Sequence, residues 1–79
     1  MSARINVTLN KLEIGKSASM VAVHGQGVVS KRLMEMGVVP GTAIKVVKAA
    51  PFDDPIEIRV RGYSLAVRRN EAESVEVTF

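Results

Sequence analysis

Seventy-nine residues with a formal charge of +3 and no cysteine predict one small domain. Its core is marginal for its size, and neither disulfides nor thiolate metal sites reinforce it. The cationic excess suits an acidic surface of any kind, but only Phe52, Tyr63 and Phe79 are aromatic, too few for the stacking face of a single-strand or RNA binder. No run of about 18 apolar residues is available to span a bilayer. Met1-Ser2-Ala3-Arg4-Ile5-Asn6 lacks the apolar stretch of a secretory leader, so a cytoplasmic location is expected.

In chain order, residues 8–12 predict a single turn with Thr8 at its N-cap, and residues 15–17 a further turn. The first strand is expected over residues 19–23. Gly25-Gln26-Gly27 then makes a tight connection into a helix at residues 28–36. Val29, Leu33 and Met36 share one helical face at i, i+4 and i+7. Gly37 follows where a helix end calls for left-handed backbone, and Pro40-Gly41 suits the two central positions of a type II turn.

Residues 42–49 predict a strand with Ile44 and Val46 on one face and Lys45 and Val47 on the other. The turn formers Pro51, Asp53, Asp54 and Pro55 end it. Residues 55–61 alternate most cleanly: Ile56, Ile58 and Val60 against Glu57, Arg59 and Arg61. Gly62-Tyr63 is expected as a two-residue type II′ hairpin turn, with Leu65 and Val67 continuing the inner face. Asn70-Glu71-Ala72-Glu73 has the form of a one-turn helix capped by Asn70. Val75, Val77 and Phe79 make a closing strand. Five short strands, a helix after the first and a helical turn before the last predict a small closed β-barrel.

Taken together, Gly25 and Gly27, Arg32-Leu33-Met34-Glu35-Met36-Gly37, Pro40-Gly41, Phe52-Asp53-Asp54-Pro55-Ile56, residues 61–68, Glu71-Ala72 and Val75-Glu76-Val77 resemble the FeoA family. These are small cytosolic accessory proteins of bacterial ferrous-iron transport. The resemblance runs through essentially the whole chain. It implies a mainly β, SH3-like barrel and, as partner, the GTPase-containing cytosolic region of the ferrous-iron permease FeoB. A similar barrel forms the C-terminal module of iron- and manganese-dependent repressors, so the fold alone does not choose a role. A repressor needs a DNA-reading helix-turn-helix, for which a 79-residue barrel leaves no room, and nucleic acid is not an expected partner.

The residues themselves point away from chemistry. His24 is the lone histidine, no serine sits in a nucleophile elbow, and no catalytic group is expected. Gly25-Gln26-Gly27 lacks both the third glycine of a dinucleotide fingerprint and the terminal Lys-Ser or Lys-Thr of a Walker loop. No metal ligand set or cofactor is expected, because His24, Glu35, Asp53 and Asp54 would have to be gathered by the fold. An autonomous metal-binding or metal-sensing module is the alternative. Two partner surfaces are candidates. On the helix and the loop after it, Met34 and Val38 are expected outside the core, rimmed by Arg32 and Glu35. On the strands, Lys45, Lys48, Arg59, Arg61, Arg68 and Arg69 are expected to face outward, with Arg59 and Arg61 central to an electrostatic docking face.

The inner-face pattern is apolar throughout, so folding needs no metal. Chelator-treated protein is expected to keep its β-type circular dichroism and a cooperative melt, and loss of structure on chelation would favour the metal-dependent alternative.

Overall fold

The computed structural model describes residues 4–25 and 27–79. Residues 1–3 and Gln26, on which the leader and Gly25-Gln26-Gly27 readings partly rest, lie outside the described residues. The elements are strand β1 (Asn6–Thr8), a 3-10 turn (Leu9–Lys11), β2 (Ser17–Val23), helix α1 (Val28–Glu35), β3 (Ala43–Ala49), a second 3-10 turn (Pro51–Asp53), β4 (Ile56–Val60), β5 (Tyr63–Val67), the one-turn helix α2 (Arg69–Ala72) and β6 (Val75–Thr78). They form one antiparallel sheet in the order β1-β6-β2-β3-β4-β5.

Alternation along the strands builds the core. Ile44, Val46, Ile56, Ile58, Val60, Val67, Val75 and Val77 are each at most 1% exposed. Each such burial contributes about 1.5–3 kcal/mol relative to leaving the side chain in water. Leu33 enters from α1, Leu9 from the first 3-10 turn and Ala72 from α2.

Among the described residues there are six strands where five were expected, and the added one is β1. Three residues are too few to show alternation, and β1 exists because Asn6, Val7 and Thr8 lie opposite Thr78, Val77 and Glu76 of β6. Nor does the hydrogen-bonded ladder close: among the described residues β1 and β5 are its two edges. The ends meet through turns instead. α2, which follows β5, packs on the 3-10 turn that follows β1. Arg69 ties that contact, donating from its guanidinium to the carbonyls of Asn10 (2.6 Å) and Asp53. The expected outward position of Arg69 is therefore corrected to a half-buried bridge.

Three local readings shift for identifiable reasons. Thr8 is the N-cap residue, but its hydroxyl donates to the Asn10 side-chain oxygen and accepts no amide of the turn. The last helical turn is capped by Arg68 and not Asn70. The Glu71 carboxylate accepts the Arg68 amide at 3.0 Å, and Asp54, distant in sequence, accepts the Arg69 amide at 3.0 Å. A guanidinium has no acceptor to return the first bond, so Asp54 supplies what Asn70 was expected to supply. In the β4–β5 hairpin the turn residues are Arg61-Gly62, with φ of 51° and 81°, as type I′ requires. The observed register pairs Val60, Ile58 and Ile56 with Tyr63, Leu65 and Val67. A Gly62-Tyr63 turn would keep the same inner face but set Ile56 opposite Arg69, and so remove the bridge to Asn10.

The end of α1 follows the sequence closely. Gly37 has φ +76°; its amide donates to the Met34 carbonyl and the Val38 amide to the Leu33 carbonyl, both at 3.0 Å. This double closure satisfies two carbonyls the helix leaves open. The Thr42 amide then reaches the Val39 carbonyl (3.0 Å) around Pro40-Gly41, with Gly41 at φ +96°, the expected type II turn.

A Cβ placed at Gly37 would meet nothing closer than 3.8 Å, so a side chain there suffers from backbone conformation and not from crowding. Gly37→Val is expected to cost about 1–2 kcal/mol or more and to lower the melting temperature by about 4–8 °C for each kcal/mol; an unchanged melt would show that the left-handed turn is dispensable. Arg69→Met is expected to cost about 1–3 kcal/mol in denaturant unfolding, through two lost charge-assisted bonds. Arg68→Met, whose side chain is exposed, is expected to stay within about 0.5 kcal/mol of the parent.

Candidate partner-binding surface

α1 buries Val29, Ser30 and Leu33 and turns Lys31, Arg32, Met34 and Glu35 outward. Met34 is 71% exposed, as the spacing predicts for a residue off the buried stripe. Arg32 and Glu35 are exposed beside it. Val38 is different: it is only 5% exposed and does not belong to the surface. The double hydrogen bond at Gly37 folds the chain back so that the second residue past the cap lies over the last buried turn, where Val38 joins the same core as Leu33. Its neighbour Val39, 59% exposed, is the apolar side chain the loop presents.

Two clefts flank this helix. One, of about 400 Å3, runs between α1 and β2. Leu33, Val38 and Met20 line it, with Met34, Val21 and Pro40 also along its walls. The other, of about 450 Å3, lies where the C-terminal end of α1 meets the β4–β5 hairpin, and it brings Glu35 and Met36 to Arg61, Tyr63 and Ser64. The fold thus joins residues that the sequence assigned to two separate surfaces. Arg61 belongs with the helix end through its position in the hairpin turn, and Gly37 lies against its side chain.

Arg59 remains on the strand wall. It is exposed, opposite Lys45 on one neighbouring strand and Ser64 on the other. Like charges directly across a ladder are unfavourable, so Lys45 and Arg59 leave a positive spot that an acidic partner would relieve. Lys48 is partly compensated by Glu57 at 3.7 Å. Arg68 is exposed at the end of the hairpin, and Arg69 is occupied by the bridge described above.

His24 sits at the end of β2, with Nε2 3.1 Å from Glu76 Oε1, while Asn6 donates to the other oxygen of Glu76 at 3.1 Å. Asp53 and Asp54 are engaged around α2, and Glu35 lies at the end of α1. Among the described residues no group of three or more His, Cys, Asp or Glu side chains is gathered at metal-binding distance. No helix among them is long and apolar enough to cross a membrane.

Sequence reasoning missed Tyr63, 65% exposed in the second cleft, because the shifted hairpin turn placed it inside the loop. It also missed the β2 side of the first cleft, since a strand's free edge carries no residue signature. What ends the pairing is the β2–β3 register, Ser17 opposite Lys45 through Ser19 opposite Ala43, which runs into the Pro40-Gly41 turn.

The strand order, the helix inserted after β2 and the helical turn before the last strand define an SH3-like β domain. The FeoA domain profile matches residues 7–78, and the chain belongs to the FeoA domain family. It is 44% identical over 69 residues to the Fe(2+) transport protein A/Fe(2+) transporter FeoB fusion protein of Porphyromonas gingivalis. That match covers 87% of this chain and 8% of the relative, so the chain spans a small part of that protein's length. Among solved structures, the FeoA protein of Chlorobium tepidum superposes with a TM-score of 0.81 at 41% identity, over 90% of this chain and 68% of that one. An FeoA of Stenotrophomonas maltophilia complexed with zinc, described as a prokaryotic SH3 domain protein, superposes with a TM-score of 0.76 at 31% identity, over 90% and 88% of the two chains.

Proposed function

We propose that this domain is a cytosolic accessory protein of ferrous-iron transport that binds the GTPase-containing cytosolic region of the FeoB permease and modulates uptake. The observation that carries this reading is the Porphyromonas gingivalis relative, in which an Fe(2+) transport protein A sequence and FeoB share one polypeptide. Joining two proteins covalently makes their association intramolecular, and that benefits a pair that acts together.

The surface favours the helix side of the domain. Interface energy concentrates in a few apolar anchors with a polar rim. Met34, on the lip of an apolar cleft and next to Arg32, has that form. Methionine adapts its shape to a partner more readily than a branched side chain. The cleft holding Arg61 and Glu35 extends the same side of the molecule, and Arg59 contributes to the field that guides approach. Docking biases a conformational or assembly equilibrium of the permease by as much as the domain's affinity differs between the two states. No covalent step by the domain is required.

Met34→Asp is expected to fold normally and to bind the purified cytosolic region of the permease roughly tenfold more weakly, about 1.4 kcal/mol, by calorimetry or interferometry. Charge reversal at Arg59 and Arg61 is expected to slow association and to change its salt dependence. Normal binding by Met34→Asp together with loss of binding on charge reversal at Arg59 alone would place the docking face on the basic strand wall instead.

A further inference from the structure

β2 is paired on both edges only as far as Met20. On one edge β6 accompanies it to Val23, which lies opposite Val75. On the other, β3 pairs over Ser17, Ala18 and Ser19. Met20 then ends that edge, its amide donating to the Thr42 carbonyl at 2.9 Å and its carbonyl accepting from Gly41 at 2.8 Å. From Val21 to Val23 no strand lies on the β3 side among the described residues. α1 stands off that edge, and the space between them is the 400 Å3 cleft.

The bulge in β2 decides which backbone groups face this space. Met20 lies opposite Val77 and Ala22 opposite Glu76, so two residues of β2 advance for one of β6. Met20 directs its amide and carbonyl toward β3, whereas the His24 amide bonds the Ser74 carbonyl at 2.7 Å, toward β6. A bulge turns two successive residues to the same side, here Val21 and Ala22 toward β6. Alternation then turns the amide and carbonyl of Val23 into the cleft. The cleft therefore has a backbone donor and acceptor on one wall and apolar side chains elsewhere.

We propose that this cleft receives an extended segment of the permease's cytosolic region, added to β2 as a further strand beyond Met20. A docked helix cannot use the Val23 groups, because its own amides and carbonyls are bonded internally, and a lipid tail offers neither donor nor acceptor. An extended backbone offers both at strand spacing, and peptide binding by strand addition works in this way. Leu33, Val38 and Met20 call for an apolar side chain pointing inward, and Met34 closes over it from the lip. Lys31 and Arg32, exposed on α1, have no partner in the two described ion pairs, which join His24 to Glu76 and Lys48 to Glu57. Lys31 is one turn from Met34 on the outer face, so the segment carries an acidic residue beside its apolar one.

This binding mode rests on the docking proposed above, and one set of measurements separates the two. Overlapping synthetic peptides tiled across the permease's cytosolic region are titrated into the domain, alongside the intact region, with backbone amide exchange followed by NMR. A peptide with an apolar residue next to an acidic one is expected to bind and to slow exchange of the Val23 amide roughly tenfold or more. Val23→Pro is expected to keep the β6 ladder, whose bonds do not use that amide, while weakening peptide binding roughly tenfold. Binding of the intact region with the Val23 amide exchanging at its free rate overturns strand addition and leaves docking standing. Failure of the intact region to bind at all overturns both. The exchange readout uses the unaltered protein, so misfolding of Val23→Pro would not obscure the outcome.

Discussion

A left-handed residue at Gly37 is the constraint on which the helix side of this domain depends. With φ at +76° the helix closes its last carbonyls within the chain, and the backbone reverses toward β2. That reversal buries Val38, exposes Val39 and delivers Pro40-Gly41 to the turn that starts β3. The start of β3 in turn determines where the pairing of β2 stops. One backbone conformation therefore sets the height of α1, the position of Met34 and the length of free edge on β2. Glycine enters that region without the clash a Cβ would bring.

A second constraint governs the opposite end of the sheet. The ladder has two edges, and a small core cannot remain open to water between them. Leu9, Ala72 and the flanking turns fill the gap, and Arg69 joins them by bonds to two main-chain carbonyls. The Asp54 carboxylate holds the start of α2 in place for that contact. Fixed planar donors suit guanidinium to such bridging, and a lysine would not replace it. This end of the molecule is committed to stability, whereas the α1 side retains exposed apolar and charged groups.

Such a division suits the docking role proposed above. The sealed end holds the sheet together, whereas the helix side contributes Val29, Leu33 and Val38 to the core and keeps Met34 and Val39 exposed. In the fused relative the two proteins are covalently joined, and tethering raises the effective concentration of a weak contact by orders of magnitude. A cleft of this size need not supply high affinity where the linkage supplies proximity. Under the docking proposed above, the cleft supplies a difference in affinity between two states of the permease, since equal binding to both would shift nothing.

Much of the architecture was legible because it follows from short-range rules. Alternation at Ile56, Ile58 and Val60 marked a half-buried strand, and the i, i+4, i+7 stripe with Gly37 and Pro40-Gly41 marked a helix and its exit. Steric limits on φ and the periods of strand and helix act within a few residues, so one chain segment suffices to read them. Tertiary structure alone decided the rest. Two hairpin registers kept the same residues inside, and the one that forms has Arg61-Gly62 in the turn and brings Arg69 against Asn10. Asn70 had the form of a cap, but Asp54 arrived from another turn to take the role. Val38 was buried by a closure that reaches back over the helix, and Arg61 joined Glu35 through a hairpin far along the chain. The sequence by itself determined the main helix, five of the six described strands and which of their faces are apolar, whereas β1 is defined by its pairing with β6. The burial of Val38, the bridge by Arg69 and the free edge of β2 were decided by tertiary structure, because burial and pairing belong to pairs of segments and no single segment encodes its neighbour.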